Sequence, residues 1–248
     1  MKTWFITGTS KGFGRLWAEA ALRRGDTVVA TARNIATLAS LEKEFGERAI
    51  CLELDVNDKR AVDAAVETAR KRMGSIDVVV NNAGYGLFGM IEELTEAEAR
   101  AQKRGHILQV SSIGGVNAFS GIGLYNASKW ALEGFSQALA AEVKDFGIHV
   151  TIIEPTGYPT DWAGASSVQS KQMPEYNPPR EWMARLRKSR PAAKVEATSA
   201  VVLKLVDMKE PPLRIFFGDG PLDMIKAEYK SRIETWDRFA ALTHEANG

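Results

Sequence analysis

At 248 residues, with 45% hydrophobic and 25% charged content, the chain is long enough for one large core and has none of the bias of a disordered or fibrous sequence. Its 32 Lys and Arg stand against 31 Asp and Glu, which leaves no global field to draw in nucleic acid or an anionic membrane. No leader-like apolar stretch precedes the first strand pattern and no window is long and apolar enough to span a bilayer, so a soluble cytoplasmic protein is expected. The single cysteine, Cys51, has no partner for an internal disulfide and lies in the apolar run AICLEL, where a small buried hydrophobe is expected.

From the N-terminus, short runs rich in β-branched residues alternate with amphipathic ones. TWFIT is followed by GRLWAEAALRRG, TVVATA by IATLASLEKEF, AICLEL by KRAVDAAVETARKRMG, and IDVVVN by a charged stretch around TEAEARAQKRG. HILQV, the helix-prone LYNASKWALEGFSQALAAEVKDF and HVTIIEP continue the alternation. Strands and helices taking turns predict βαβ units on a parallel sheet, because a parallel neighbour needs a crossover and a helix is the usual one. From Tyr158 to Pro191 the periodicity gives way to a polar, proline-containing segment, which reads as a lid. Within it EWMARLRK predicts one or two helical turns. Trp162, Met173, Tyr176, Trp182 and Met183 suit either a bulky apolar substrate or the lid's own core. EATSAVVLKLVDM then predicts a helix, LRIFFG a last strand and LDMIKAEYKSRIETWDRFAAL a terminal helix.

The first strand runs into Thr7-Gly8-Thr9-Ser10-Lys11-Gly12-Phe13-Gly14, and a helix follows. Glycines at such a turn let the backbone approach a pyrophosphate, and the helix N-terminus offers unpaired N–H groups to it. This spacing, the run Asn81-Asn82-Ala83-Gly84 after the fourth strand, and Tyr125 four residues before Lys129 together resemble the short-chain dehydrogenase/reductase family. The resemblance extends from Lys2 to the terminal helix. It implies a single α/β domain over 1–248, a doubly wound parallel sheet (Rossmann fold), with 158–191 as substrate lid and the cofactor at the carboxyl ends of the strands.

It also implies site residues. The second strand ends at Arg33, where an NAD-preferring relative would carry a carboxylate. With Lys11 in the glycine loop, this makes two cations suited to a ribose 2′-phosphate, so NADP(H) is expected. Asp55 and Val56 are similar to the family's adenine-contacting pair, although an Asp at a strand end is also a common helix cap. Asn82, Ala83 and Gly84 belong to the cofactor-side turn after the fourth strand, and Gly8, Ser10, Gly12, Phe13 and Gly14 to the cofactor-binding glycine loop. Pro155, Gly157 and Thr160 match the segment after the sixth strand, where Thr156 stands in place of the expected glycine and its β-branched side chain carries a backbone cost.

Tyr125 is the implied general acid/base, Ser112 the serine that polarises the substrate oxygen, and Lys129 the holder of the nicotinamide ribose. The four-residue spacing puts Tyr125 and Lys129 on one helical face. A lysine roughly 4 Å from the phenol would contribute about 4 kcal/mol, enough to bring its pKa from about 10 towards neutrality. Ser111, adjacent to Ser112, should point the other way. The implied activity interconverts a carbonyl and an alcohol by hydride transfer, on a small-molecule substrate.

One expected part is missing. Gly84 and Ser112 are only 28 positions apart, and the family places there a long helix carrying the asparagine of its catalytic tetrad. That helix is expected to be shortened or absent, and since it normally pairs with the Tyr-Lys helix across a subunit interface, a homo-oligomer is expected to be altered. Two readings stay open: a working reductase, or a catalytically impaired NADP(H)-binding protein. His106, His149 and His244 have no ligand spacing, so no metal is expected, and RLRKSR at 185–190 reads as a solvated lid face rather than a nucleic-acid site.

Overall fold

In the computed structural model, which describes residues 1–83, 105–159, 174–178, 181, 185 and 193–246, the alternating runs become seven strands and seven α-helices among those residues. In chain order these are β1 (Thr3–Ile6), α1 (Gly12–Arg24), β2 (Thr27–Ala32), α2 (Ala39–Phe45), β3 (Ala49–Glu53), α3 (Lys59–Met73), β4 (Val78–Asn81) and β5 (Gly105–Val110). There follow α4 (Gly123–Val143), β6 (Ile148–Pro155), α5 (Ala197–Asp207), β7 (Arg214–Phe217), α6 (Pro221–Arg238) and α7 (Ala240–Glu245). The crossover between β4 and β5 and most of the lid, with Gly84, Thr160, Trp162, Met173, Trp182 and Met183, lie outside the described residues.

All pairings are parallel and the strand order is β3-β2-β1-β4-β5-β6-β7. The period-two alternation sorts the faces. Trp4 and Ile6 pack with Trp17, Ala21 and Leu22 of α1 and with Val202 and Leu205 of α5. Phe5 points to the opposite face, with Val62, Ala65 and Val66 of α3. On that face Ile107 and Val150 meet Val143 of α4. Chain order reverses between β1 and β4, and their carboxyl ends diverge into a crevice there.

The indoles buried in this core have their polar edges met. Trp4 Nε1 donates to Asp26 Oδ2 at 2.9 Å and Trp17 Nε1 to Thr198 Oγ1 at 2.8 Å. Cys51 is buried in the same cluster, as expected, and burial pushes its thiol up to about 11. His106 is buried with Nε2 2.8 Å from Thr151 Oγ1. The threonine hydroxyl donates its proton to Pro212 O, so the imidazole must donate to the threonine; burial holds its pKa at about 4, and the ring is neutral.

Three local expectations are corrected. IATLASLEKEF is not one helix: Asn34 accepts from Ala36 N, which starts a 3₁₀ turn over Ile35–Leu38 before α2. The terminal run breaks at Phe239 into α6 and α7. Asp55 does not cap a helix, since it accepts from Asn57 N and Nδ2, and the cap of α3 is Asp58, bonded to Arg60 N and Ala61 N. Among the described residues no helix is long and apolar enough to cross a membrane.

Candidate active site

The glycine loop joining β1 to α1 is held from two sides. Thr9 N and Oγ1 both donate to Thr31 O, at 2.9 and 3.0 Å, tying the loop to the end of β2. Thr7 Oγ1 accepts from Asn82 N at 3.1 Å and Ala83 N at 2.9 Å, while Asn82 Nδ2 donates back to Thr7 O and Gly8 O. The Asn82 side chain is therefore a brace between β4 and the loop, and Thr7, which the sequence reading passed over, is the hydroxyl that completes it. This packing leaves no room for side chains. A Cβ at Gly14 would stand 2.5 Å from Asn82 Nδ2 and 2.6 Å from Gly8 O, and one at Gly8, where φ is +68°, would stand 2.9 Å from Ala83 Cα.

What this loop can hold follows from its open side. α1 has no side-chain N-cap and no acidic residue in its first turn, while Ser10 and Lys11 are exposed beside it. A cradle closed to Cβ atoms at its base, with a bare helix N-terminus above, fits the pyrophosphate of a dinucleotide. Arg33 is exposed two residues beyond the Thr31 carbonyl that anchors the loop, and Lys11 is exposed within the loop itself. Asp55 and Val56 follow β3 at the next strand end, with Leu54 N bonded to Ala32 O, and Val56 packs partly into the core. Phe13 turns its ring away, stacking on Trp17 at 5.2 Å and meeting Tyr158 edge-on at 5.1 Å, and this joins the loop to the segment after β6.

In that segment Pro155 ends β6 and Gly157 is exposed. Thr156 N donates to Phe217 O, and the Thr156 side chain occupies the space beside Gly218: a Cβ there would lie 2.2 Å from Thr156 Oγ1. The bulk gained at 156 is thus matched by a glycine at 218, a long-range pairing that no local motif signals.

Beyond β5 the chain makes a 3₁₀ turn, Ile113–Gly115, with Ser112 Oγ accepting from Gly114 N at 3.1 Å. The turn packs on α4 because it is glycine: a Cβ at 114 would be 3.2 Å from the Tyr125 ring and one at 115 3.0 Å from Lys129 O. Ser112 thereby reaches Tyr125, to which it is hydrogen-bonded. Ser111 points elsewhere, buried, with Oγ unpartnered. Asn126 is fixed by Nδ2 donating to Phe119 O at 2.8 Å. Lys129 lies one turn below Tyr125, its Nζ donating to Val110 O at 2.9 Å and 5.9 Å from the Tyr125 ring centroid.

The electrostatics of the pair depart from the sequence expectation. Burial pushes the Tyr125 phenol above the usual tyrosine range, with the Ser112 hydrogen bond opposing it. The lysine does not bring it down: its head group is committed to the Val110 carbonyl, and its own pKa falls to about 8 through burial, with Glu133 opposing. The phenol is accordingly protonated at neutral pH, a donor to any oxygen that Ser112 also contacts. Among the described residues no cluster of three or more His, Cys, Asp or Glu could hold a metal ion.

The short chain dehydrogenase profile matches residues 2–101 and 97–171. An oxidoreductase of Botryotinia fuckeliana, BOA17, is 42% identical over 253 aligned positions, covering 90% of each chain. An uncharacterized oxidoreductase of Schizosaccharomyces pombe is 30% identical over 97% of this chain and 90% of its own. The crystal structure of a short-chain dehydrogenase from Streptomyces avermitilis superposes with a TM-score of 0.85 at 32% identity, covering 99% of this chain and 98% of that one. The two profile segments overlap at 97–101, inside the crossover. The alignment to the Botryotinia protein is longer than this whole chain while covering only 90% of it, so it includes positions where this chain has no residue. With a seven-stranded parallel sheet in the order 3-2-1-4-5-6-7, a glycine cradle at its switch point and these matches, the chain belongs to the short-chain dehydrogenase/reductase family, oxidoreductases that use NAD(P)(H).

Proposed function

We propose that the protein is an NADP(H)-dependent oxidoreductase that interconverts a carbonyl and an alcohol, with Tyr125 as general acid/base. The observation that carries this is the hydrogen-bonded Ser112–Tyr125 pair, with Lys129 half-buried beneath it and bonded to the end of β5, two strands from the glycine cradle. The cofactor, when bound, supplies or accepts the hydride. Ser112 orients the substrate oxygen and offers a hydrogen bond to charge developing on it. Tyr125, held protonated by burial, donates its phenolic proton to that oxygen during reduction and takes one back in the reverse direction. Lys129, one turn along α4 with its Nζ on Val110 O, would hold the nicotinamide ribose.

Residues Gly8, Ser10, Lys11, Gly12, Gly14, Asn82, Ala83 and Gly84 would hold the dinucleotide, with Asp55, Val56, Pro155, Gly157 and Thr160 around it. Lys11 and Arg33 favour the 2′-phosphate, because a guanidinium binds phosphate bidentately and an ammonium adds charge. The test compares NADPH with NADH across a panel of ketones and aldehydes, in wild type and Arg33→Ala. The expected result is NADPH-dependent reduction, with the variant losing about tenfold in NADPH affinity and little in NADH affinity. Reduction driven better by NADH, or an Arg33→Ala variant that keeps its preference, would reverse the cofactor assignment.

The shortened crossover favours a second reading, a binding protein with impaired turnover. The family resemblance implies a tetrad asparagine on the proton path from Tyr125 to solvent, carried by a helix for which the 28 positions from Gly84 to Ser112 leave no length. Tight NADPH binding without reduction of any panel member selects this reading over the first.

A further inference from the structure

The chain leaves β2 at Ala32, and Arg33 leads into a turn whose polar groups close on one another. Asn34 Oδ1 accepts from Ala36 N at 3.0 Å, and Asn34 O accepts from Thr37 N at 3.2 Å and from Thr37 Oγ1 at 2.6 Å. These bonds are local and set the shape of the 3₁₀ turn over Ile35–Leu38, while Leu38, buried in the core, sets its depth. Where the turn stands against α1 is set by a side chain from that helix.

That side chain is Arg15, the residue after Gly14, at the end of the first turn of α1. Its Nη1 donates to Thr37 O at 3.3 Å, its Nη2 to Ser40 Oγ of α2 at 2.7 Å, and its Nε to Glu19 Oε1, one turn along α1, at 2.6 Å. The Arg15 and Glu19 side chains are each 18% exposed. Glu19 Oε2 lies 3.2 Å from Arg23 Nη1, so the carboxylate that orients Arg15 is itself held by a second cation. A planar guanidinium serves three acceptors in fixed directions, which an ammonium on a flexible stem does not. With every guanidinium nitrogen engaged, Arg15 is a brace between α1 and the segment that follows Arg33.

We infer that Arg15 is a positioning residue for cofactor choice: by tying α1 to the turn after Arg33 it holds Arg33 in place for the 2′-phosphate of NADP(H), and it acts through Arg33 rather than on the phosphate itself. This rests on the NADP(H) reading above. Arg33 is exposed and carries a long side chain with many rotamers, so closing it on a phosphate costs entropy. The cost is smaller when the backbone behind it is already fixed, which is what the brace supplies. A cofactor without the phosphate makes no such demand on Arg33, so the effect of Arg15 belongs to NADP(H) alone.

The test is fluorescence titration of the full chain with NADPH and with NADH, in wild type, Arg15→Lys, Arg33→Ala and the double variant, with a melting curve for each. Arg15→Lys keeps the positive charge and gives up the three-way bridge, which separates position from electrostatics. It should weaken NADPH binding about fivefold and leave NADH binding within about twofold. In the Arg33→Ala background the same change should alter NADPH binding by less than about twofold, because the residue it acts through is gone. A wild type that binds NADH more tightly than NADPH overturns the cofactor reading, and this inference with it. Where wild type prefers NADPH, three results overturn the role of Arg15 alone. These are unchanged NADPH affinity in Arg15→Lys, equal losses for both cofactors, which mark a purely structural part, and a loss that persists in full beside Arg33→Ala, which marks direct contact with the phosphate.

Discussion

Around β1, β2 and β4 the buried polar groups are met: Thr7 bridges to Asn82 and Ala83, Thr9 to Thr31, and Asp26 accepts from Lys2 N, Trp4 Nε1 and Arg24. On the other side of the switch point, Ser111, Asn126, Glu133, Ser136 and Glu154 each keep a buried oxygen without a hydrogen-bond partner, and these are the only such side-chain atoms among the described residues. One half of the sheet is finished as a scaffold, and the other stores unmet hydrogen-bonding capacity beside Tyr125 and Lys129. A satisfied network resists movement and pre-shapes a cradle, whereas unmet acceptors and donors lower stability and leave groups available to a ligand or a proton. Substitutions in the first half should therefore cost stability, and those in the second should cost activity or nothing.

The largest effect expected is at Tyr125. Tyr125→Phe removes the transferable proton and should lower kcat by about a thousandfold. Thermal unfolding should change little, because the ring keeps its packing against the Gly114 turn and only the hydroxyl bonded to Ser112 is lost, about 1 kcal/mol at most. Steady-state kinetics paired with melting curves check this, and a loss of stability alongside activity would erase the contrast between the halves.

Asp26 is the counterpart on the scaffold side. It is 3% exposed, and although burial alone would raise its pKa, hydrogen bonds from Arg24, Lys2 N and Trp4 Nε1 hold it below the usual carboxylate range. Asp26→Asn turns an amide toward these donors and should cost about 2–3 kcal/mol in denaturant unfolding at neutral pH. The sign with pH follows from the lowered folded value. The carboxylate's contribution is complete above the unfolded pKa of about 3.9 and is lost as pH falls through the folded one, so wild type and variant should converge only below about pH 4.

How much of this is legible in the sequence differs between the halves in the same way. Strand order and the cradle follow from local signals: β-branched runs alternating with helical periods, and glycines at one strand-to-helix turn. The Ser112–Tyr125–Lys129 grouping follows from spacing on one helix and one strand end. The pKa of Tyr125 does not, because it depends on where the Lys129 ammonium finds an acceptor, and the Val110 carbonyl is fixed by tertiary packing. Nor do the Thr156–Gly218 fit or the ion-pair cluster of Arg214 with Glu133 and Glu154, each of which joins residues distant in the chain without any period to mark them. The helix breaks at Asn34 and Phe239 were missed because a continuous amphipathic pattern does not record a side chain capping the backbone or a tightened last turn.

The smallest effects give the sharpest comparison, since they set two buried hydroxyls of the same kind against each other. Thr9 and Ser136 are both 0% exposed. Thr9 Oγ1 donates to Thr31 O at 3.0 Å, so Thr9→Val keeps the shape, removes that bond, and should cost about 1 kcal/mol, with the remaining Thr9 N–H still holding the carbonyl. Ser136 Oγ has no partner, and its desolvation is already uncompensated in the folded protein. Ser136→Ala deletes an oxygen that contributes nothing to the native state and improves helix propensity within α4, so it should be neutral or stabilising by about 0.5–1 kcal/mol. Parallel urea melts of the two variants measure the difference directly. If Ser136→Ala is destabilising by as much as Thr9→Val, the Ser136 hydroxyl is bonded in solution, and the unmet polar capacity attributed to this half of the sheet is smaller by that group.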